Sequence, residues 1–274
     1  MRRLGGAVLA AAVLLTFAFA LLPVVALFTQ VSPARLVGHA NDRVFLDALY
    51  VSLKTSLIAH AFVLVFGTAV AWVLARRRFG GRRLLISLID LPLVLPPAVA
   101  GIALLATFGR NGLLGDVLHF AGLRIPLTQA AVSIAVAFVE LPIYVRAAIA
   151  AFESLDATLL DASRTLGSGP ARTFRRVALP LAAGGLAAGS SLAWARGLGE
   201  FGATLMFAGS VQGLTQTLPL AIYVQLNVDY PVALAIGALL VLVSVAVVIL
   251  VRLTPSWTRF ASIWPIASAP SGSS

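Results

Sequence analysis

Residues 159–180 read LLDASRTLGSGPARTFRRVALP, a charged, glycine-punctuated insert in a chain that is otherwise mostly apolar. Leu155, Leu159, Ala162 and Leu166 stand at i, i+4, i+7 and i+11, which is one face of a helix. Asp156 occupies the position of an N-cap, where a carboxylate accepts from the first free amides. Gly167 occupies the position of a left-handed helix stop. The spacing therefore predicts a short helix over 157–166. Gly169-Pro170 turns the chain, a second short helix over 171–177 carries Arg172, Arg175 and Arg176, and Leu179-Pro180 opens the next apolar run. Such a helix between two apolar runs is either an interfacial helix lying on a bilayer or a docking element for a cytoplasmic partner. The local pattern leaves both open.

Outward from the insert, the composition sets the class. Of 274 residues 60% are hydrophobic and 11% charged, and the mean hydropathy is +0.99. Soluble domains carry about 25% charged residues, so this chain has lipid for a surface. Apolar runs long enough to span a bilayer, about 20 residues each, fall at 7–28, 49–75, 84–108, 130–151, 181–208 and 231–252. The third contains Asp90 and three prolines. The first follows Arg2 and Arg3 and continues to Phe28, past the length of a signal-peptide core. It reads as a transmembrane helix. Thirteen arginines lie in the segments 1–6, 76–83, 159–180 and after 250, against four (Arg35, Arg43, Arg110, Arg124) in the alternate loops. By the positive-inside rule both termini and the insert are cytoplasmic. The net charge of +10 is thus a topology signal, and a nucleic-acid partner is not expected. The domain boundaries follow: an N-terminal transmembrane helix at 1–28, a core at 29–252 with the loop at 153–180, and a partly disordered cytoplasmic tail at 253–274 in which Trp257 and Trp264 suit the interface. With no cysteine, thiol chemistry is excluded. The three histidines (His39, His60, His119) do not stand at metal-ligand spacing, so no metal site is expected.

The insert resembles the signature loop of permease subunits of ABC importers: Glu-Ala-Ala, three residues, Gly, nine residues, Ile, any residue, Leu-Pro. Here it reads Asp161-Ala162-Ser163, three residues, Gly167, nine residues, Val177, Ala178, Leu179-Pro180. Asp for Glu, Ser for Ala and Val for Ile are mild departures. The resemblance implies an all-α polytopic protein with six transmembrane helices, a short cytoplasmic coupling helix and the type I ABC importer permease fold. It also implies a second copy of the chain, two ATP-binding cassette subunits and an extracytoplasmic binding protein as partners. In that family the coupling helix inserts into a cleft of the ATPase and transmits its closure. No cofactor is expected in this chain. Its single lysine, Lys54, follows Leu53, so there is no phosphate-binding loop of the Gly-Lys-Ser/Thr type. ATP and Mg belong to the partner, and the chain is a transport subunit rather than an enzyme.

The resemblance extends over about 45–250. AWVLARRRFGGRR (71–83), LIDLPLVLPPAVAGIALLATFGRNGLLG (88–115) and ARGLGEFGATLMFAG (195–209) look like the molybdate and sulfate group of oxyanion importers, and TQTLPLAIY (215–223) leans toward the molybdate branch. The implied cargo is molybdate or tungstate, imported across the cytoplasmic membrane of a prokaryote, with sulfate or thiosulfate as the alternative. Asp90, Glu140, Arg196 and Glu200 fall inside expected spans, where ionisable groups normally face the bundle interior or a water-filled path. Arg196 and Glu200, four apart, are expected to pair on one helix face. Arg146 is expected to pair with Glu140. Both a structural and a pathway role are open to these charges. The pathway is assigned to Arg196, Gly199, Glu200, Phe201, Gly202, Ala203 and Thr204, and the extracytoplasmic mouth to the polar stretch holding Thr215 and Gln216. An autonomous secondary transporter is the rival class, but it should show inverted repeats with matching helix breaks, and none is evident.

Overall fold

The computed structural model describes residues 2–32, 36 and 38–252. The tail at 253–274, with Trp257, Arg259 and Trp264, and Arg35 lie outside the described residues. Thirteen helical segments can be labelled in chain order: α1 Arg2–Gln30, α2 Arg43–Arg76, α3 Arg82–Ile89, α4 Leu91–Val94, α5 Pro97–Phe108, α6 Gly115–Phe120, α7 Gln129–Glu153, α8 Ala157–Thr165, α9 Pro170–Thr173, α10 Leu179–Leu198, α11 Gly202–Ala208, α12 Leu218–Gln225 and α13 Tyr230–Arg252. Among the described residues five stretches are helical, long and apolar enough to cross a membrane.

Helices α2 and α7 are the centre of the bundle. Their direction is fixed by three levels of contact. His60 meets Glu140, Gly67 meets Tyr144 and Val145, and Arg82, just past the end of α2, reaches Glu153. The two helices therefore run parallel. The chain between them must return to its starting side, and it does so through the stretch expected as the third span. That stretch is not one helix. It starts at Arg82, and Asp90 lies against Arg146. Pro92 stands in the first turn of α4 and Pro97 begins α5, because proline has no amide to give and suits a first turn. The result is three short pieces rather than a continuous sixth span.

Helix α10 runs antiparallel to both, with Gly185 on Ala151, Gly189 on Ala147 and Gly197 on Glu140. A Cβ on Gly189 would stand 2.5 Å from that of Ala147. Small residues substitute here for a hydrophobic driving force that lipid does not provide.

The expected second short helix at 171–177 is not a separate element. Helix α9 passes through a π-helical turn, Phe174–Ala178, into α10. The Leu179 amide bonds Phe174 O, five residues back. The following Pro180 has no N–H, so the register shifts there without losing a hydrogen bond.

The expected fifth span, 181–208, is also broken. Helix α10 ends at Leu198, and α11 resumes at Gly202. Since Gly197 touches Glu140, eleven residues into α7, the break lies roughly 16 Å from the Gln129 end. It is in mid-bundle, where irregular backbone is tolerated only against protein or a cavity.

Candidate functional site

Two regions gather the residues singled out by sequence. The first surrounds the mid-bundle break. Glu140 is fully buried, and its Oε2 lies 2.9 Å from His60 Nδ1. His60 Nε2 lies 2.8 Å from Ser190 Oγ, so both ring nitrogens are engaged. The imidazole stacks on Trp194 at 5.0 Å, and the Trp194 Nε1–H donates to Ser56 Oγ at 3.2 Å. Helices α2, α7 and α10 are thus joined by one buried polar chain. Glu140 Oε1 has no hydrogen-bond partner, and it occupies the place that a Cβ on Gly197 would take. Only glycine fits at 197.

Glu200, next to the break, is also buried. Its Oε1 accepts the Ala203 amide at 2.9 Å, closing the first turn of α11. Its Oε2 faces Arg196 Nη1 at 2.9 Å, as an ion pair without hydrogen-bond alignment. The expected pairing is present, but it bridges a helix break and does not lie along one helix face. Arg196 is 41% exposed while Glu200 is 1% exposed, so the cation keeps water on one side. Gly199 is exposed and Phe201 half-buried against Tyr223. Gly202 lies against Pro97, and Ala203 against Gly101, where a Cβ would meet Ala203 O at 2.6 Å. Thr204 is buried with an unpartnered hydroxyl.

The chain then folds back inward. Gly209 and Gly213 take φ of +69° and +72°, a region that favours glycine. Gln212 donates to Asp47 at 3.1 Å, and the Leu218 amide donates to Ser52 Oγ at 2.8 Å, one and a half turns deeper on α2. Thr215, Gln216 and Thr217 are buried in this dip. Thr215 Oγ1 accepts the Val211 amide at 3.0 Å. Gln216 Oε1 and Thr217 Oγ1 have no partner. Ser52, Thr55, Ser56, Gly197, Glu200 and Thr217 line a small cavity between the dip and the break, with room for about one water molecule.

Arg146 does not pair with Glu140. Six residues on a helix turn through about 240°, or about 120° by the shorter way round, so the two leave α7 on different faces. Arg146 instead donates through Nε to Asp90 Oδ1 at 2.8 Å and through Nη2 to Asp90 Oδ2. Asp90 and Glu140, both intramembrane carboxylates by sequence, therefore belong to different places. His60, Ser190, Trp194 and Ser52 were missed by sequence reasoning. His60 carried a signal, since it is ionisable inside an apolar run. Its partners are 80 and 130 residues away in the chain.

The second region is the loop. Helix α8 spans Ala157–Thr165, and Asp156 Oδ1 accepts the Thr158 amide at 2.9 Å. That backbone hydrogen bond, with a second from the Thr158 side chain, holds the Asp156 carboxyl below its ordinary range. Gly167 takes φ +84°. Leu160 is fully buried, in a helix that packs on the return limb at Pro170–Ala178, whereas Leu159 is 49% and Leu166 87% exposed. Of the apolar face read from sequence, Leu159, Ala162 and Leu166 are turned outward while Leu155 packs against the core, and Asp161 and Gly167 are exposed beside them. Asp161 pairs with Arg164 at 3.2 Å, and Ser163 contacts Thr173 at 3.3 Å. The return limb is anchored by Phe174, whose ring packs on Trp72 and Phe152 at 5.2 and 6.1 Å. Val177 and Leu179 are half-buried and Pro180 is exposed.

Residues 63–259 match the family described as binding-protein-dependent transport system inner membrane component. The chain belongs to that family. It is 45% identical over 231 residues to the molybdenum transport system permease protein ModB of Mycobacterium tuberculosis, covering 84% of this chain and 88% of the relative. The Escherichia coli ModB is 40% identical over 212 residues, covering 77% and 92%. The sulfate transport system permease protein CysT of Salmonella typhimurium is 36% identical over 245 residues, covering 88% and 87%. Among solved structures, a bacterial alginate ABC transporter chain superposes with a TM-score of 0.71 at 17% identity, over 92% of this chain and 95% of that one. The MetNI methionine transporter gives 0.59 at 20% identity, over 80% and 95%. At those identities the likeness is one of fold. This membership makes the chain a multi-pass membrane transport component rather than an enzyme.

Proposed function

We propose that this chain is the transmembrane subunit of an ATP-driven importer of molybdate, or the chemically similar tungstate. The observation that carries the substrate is the identity to molybdenum permeases, which exceeds that to a sulfate permease over comparable coverage. In this reading two copies of the chain pair with two ATPase subunits that hold ATP and Mg, and an extracytoplasmic protein delivers the anion. Both termini and the loop face the cytoplasm, in keeping with the arginines clustered at that end.

The exposed side of the loop, with Asp161 and Ala162 on α8 and Gly167 just past its end, docks into the ATPase, while Ser163 ties α8 to Thr173 behind it. Val177, Leu179 and Pro180 continue the loop into α10 without a flexible joint, because the π-helical turn keeps the rod unbroken. A push on α8 then reaches Arg196 and the break at Gly199 along one element. The break residues Arg196, Gly199, Glu200, Phe201, Gly202, Ala203 and Thr204 line the path. An oxyanion needs donors, and the unpartnered Thr204 and Thr217 hydroxyls are donors held ready inside the protein. Thr215 and Gln216, buried here, reach the extracytoplasmic mouth when the dip opens. Glu200 would repel the cargo, and its pairing with Arg196 limits that repulsion.

The test is ATP hydrolysis by the complex reconstituted with its ATPase and binding protein. Stimulation by molybdate or tungstate but not by sulfate or thiosulfate supports the assignment. Stimulation by sulfate alone moves the chain to the other branch. Transport without any ATPase refutes the importer reading and returns the secondary transporter.

A further inference from the structure

At the loop end of the bundle, Arg76, Arg78, Arg82 and Arg83 converge with Glu153 on a polar cup of about 600 Å³. The single carboxylate is already engaged, since Arg82 donates to Glu153 and also, through Nε, to Leu74 O at 2.6 Å. Arg76 is held with its guanidinium over the Trp72 ring at 5.7 Å. Arg78 and Arg83 are exposed and make no ion pair within the described residues. The cup therefore carries an excess of three positive charges around a concave surface, which calls for an anion.

The surroundings choose between sources of that anion. Exposed apolar residues flank the lining arginines along the chain, Val73 and Phe79 near Arg76 and Arg78, and Leu84, Leu85 and Leu88 after Arg83. Helix α3 is divided, with Ile86 and Ile89 half-buried against the core and its leucines outward. A free oxyanion has no use for an apolar border, whereas a phospholipid uses both parts.

The geometry points to a binding site for the phosphate headgroup of an anionic phospholipid in this cup, with the acyl chains along the outer side of α3. Basic pockets at the cytoplasmic edge of a membrane protein take such headgroups by charge and hydrogen bonding. The site has a mechanical neighbour. Trp72, under Arg76, packs edge-on against Phe152 at 5.2 Å and against Phe174 at the base of the loop. A bound headgroup steadies the wall on which the loop is anchored.

The test is lipid retention by the purified full-length chain after exchange into mixed vesicles of phosphatidylcholine and phosphatidylglycerol, read by mass spectrometry of the co-purified lipid. The wild type should retain phosphatidylglycerol preferentially. The double variant Arg78→Gln, Arg83→Gln should lower that preference on the order of tenfold. The variant Arg110→Gln, Arg124→Gln, which loses equal charge at the opposite end, should leave it unchanged. Equal losses in the two variants would reduce the effect to net charge and overturn the site, as would full retention in the first. Inorganic phosphate should displace the lipid no better than chloride at equal ionic strength. Stronger displacement by phosphate would mean that the cup takes a free anion, and would overturn the lipid assignment.

Discussion

The loop and the mid-bundle break are built on opposite terms. The loop is local: cap, helix, left-handed stop and π-helical turn all lie within 25 residues, 156–180, and its specific face is bare to solvent. The break is non-local. His60, Glu140, Ser190 and Gly197 come from three helices, and all four are buried. The difference teaches where each kind of residue is replaceable. A surface face tolerates change in stability but not in shape, whereas a buried polar chain tolerates neither.

The largest effect should follow from Glu140→Ala. It leaves His60 buried without its partner and opens a void where three helices meet. Loss of one member of a buried charged or polar pair costs about 3–5 kcal/mol. Thermal denaturation in detergent should show a large fall in melting temperature. An unchanged melt would mean that the buried chain does not hold the bundle. A smaller loss is expected for Gly197→Ala, whose Cβ falls on Glu140 Oε1. Overpacking of this kind costs about 1–3 kcal/mol, and the pair Gly197→Ala with Glu140→Gln should stay strained, since the amide is as large as the carboxylate. Recovery in that double variant would show that charge, not volume, decides the contact.

The smallest effect belongs to the loop, and it has a sign. Because the Asp156 carboxyl is held below its ordinary range in the folded helix, its stabilisation of α8 is fully present above the unfolded value. It is lost as pH falls through the lowered folded value. Asp156→Asn keeps a capping oxygen but removes the titration. Amide exchange at Thr158 and Leu160, taken as the ratio of variant to wild type at each pH, should converge in acid and diverge toward neutral pH. A ratio constant across that range would contradict the cap's charge dependence.

The same contrast explains what the sequence made legible. Asp156, Gly167 and the spacing from Asp161 to Pro180 were readable because capping and helix stops are decided by neighbours. The face of α8 was readable as a stripe, but not which way it turned. Leu160, one position off the stripe, is the residue of α8 that is buried. The break at Gly199–Phe201 read as continuous helix, since nothing in GLGEFGA forces a stop. It is Glu200 capping α11, and Gly202 and Gly101 letting α11 approach α5, that make two helices of it. Likewise Arg146 near Glu140 in sequence was a false neighbour, because helical phase separates them and Asp90 arrives from another segment. Three prolines in the third run were visible, and their consequence was three pieces instead of one span.

The proposed docking of an ATPase on the outward face of α8, with α10 carrying the motion inward, depends on that face being free to receive it. Ala162→Trp tests it most directly, because Ala162 is exposed and its replacement leaves the bundle core untouched. In the complex reconstituted with its ATPase, the expected result is an unchanged melting temperature for the permease, with loss of substrate-stimulated ATP hydrolysis. Hydrolysis stimulated as in the wild type, with a tryptophan standing on that face, would contradict it.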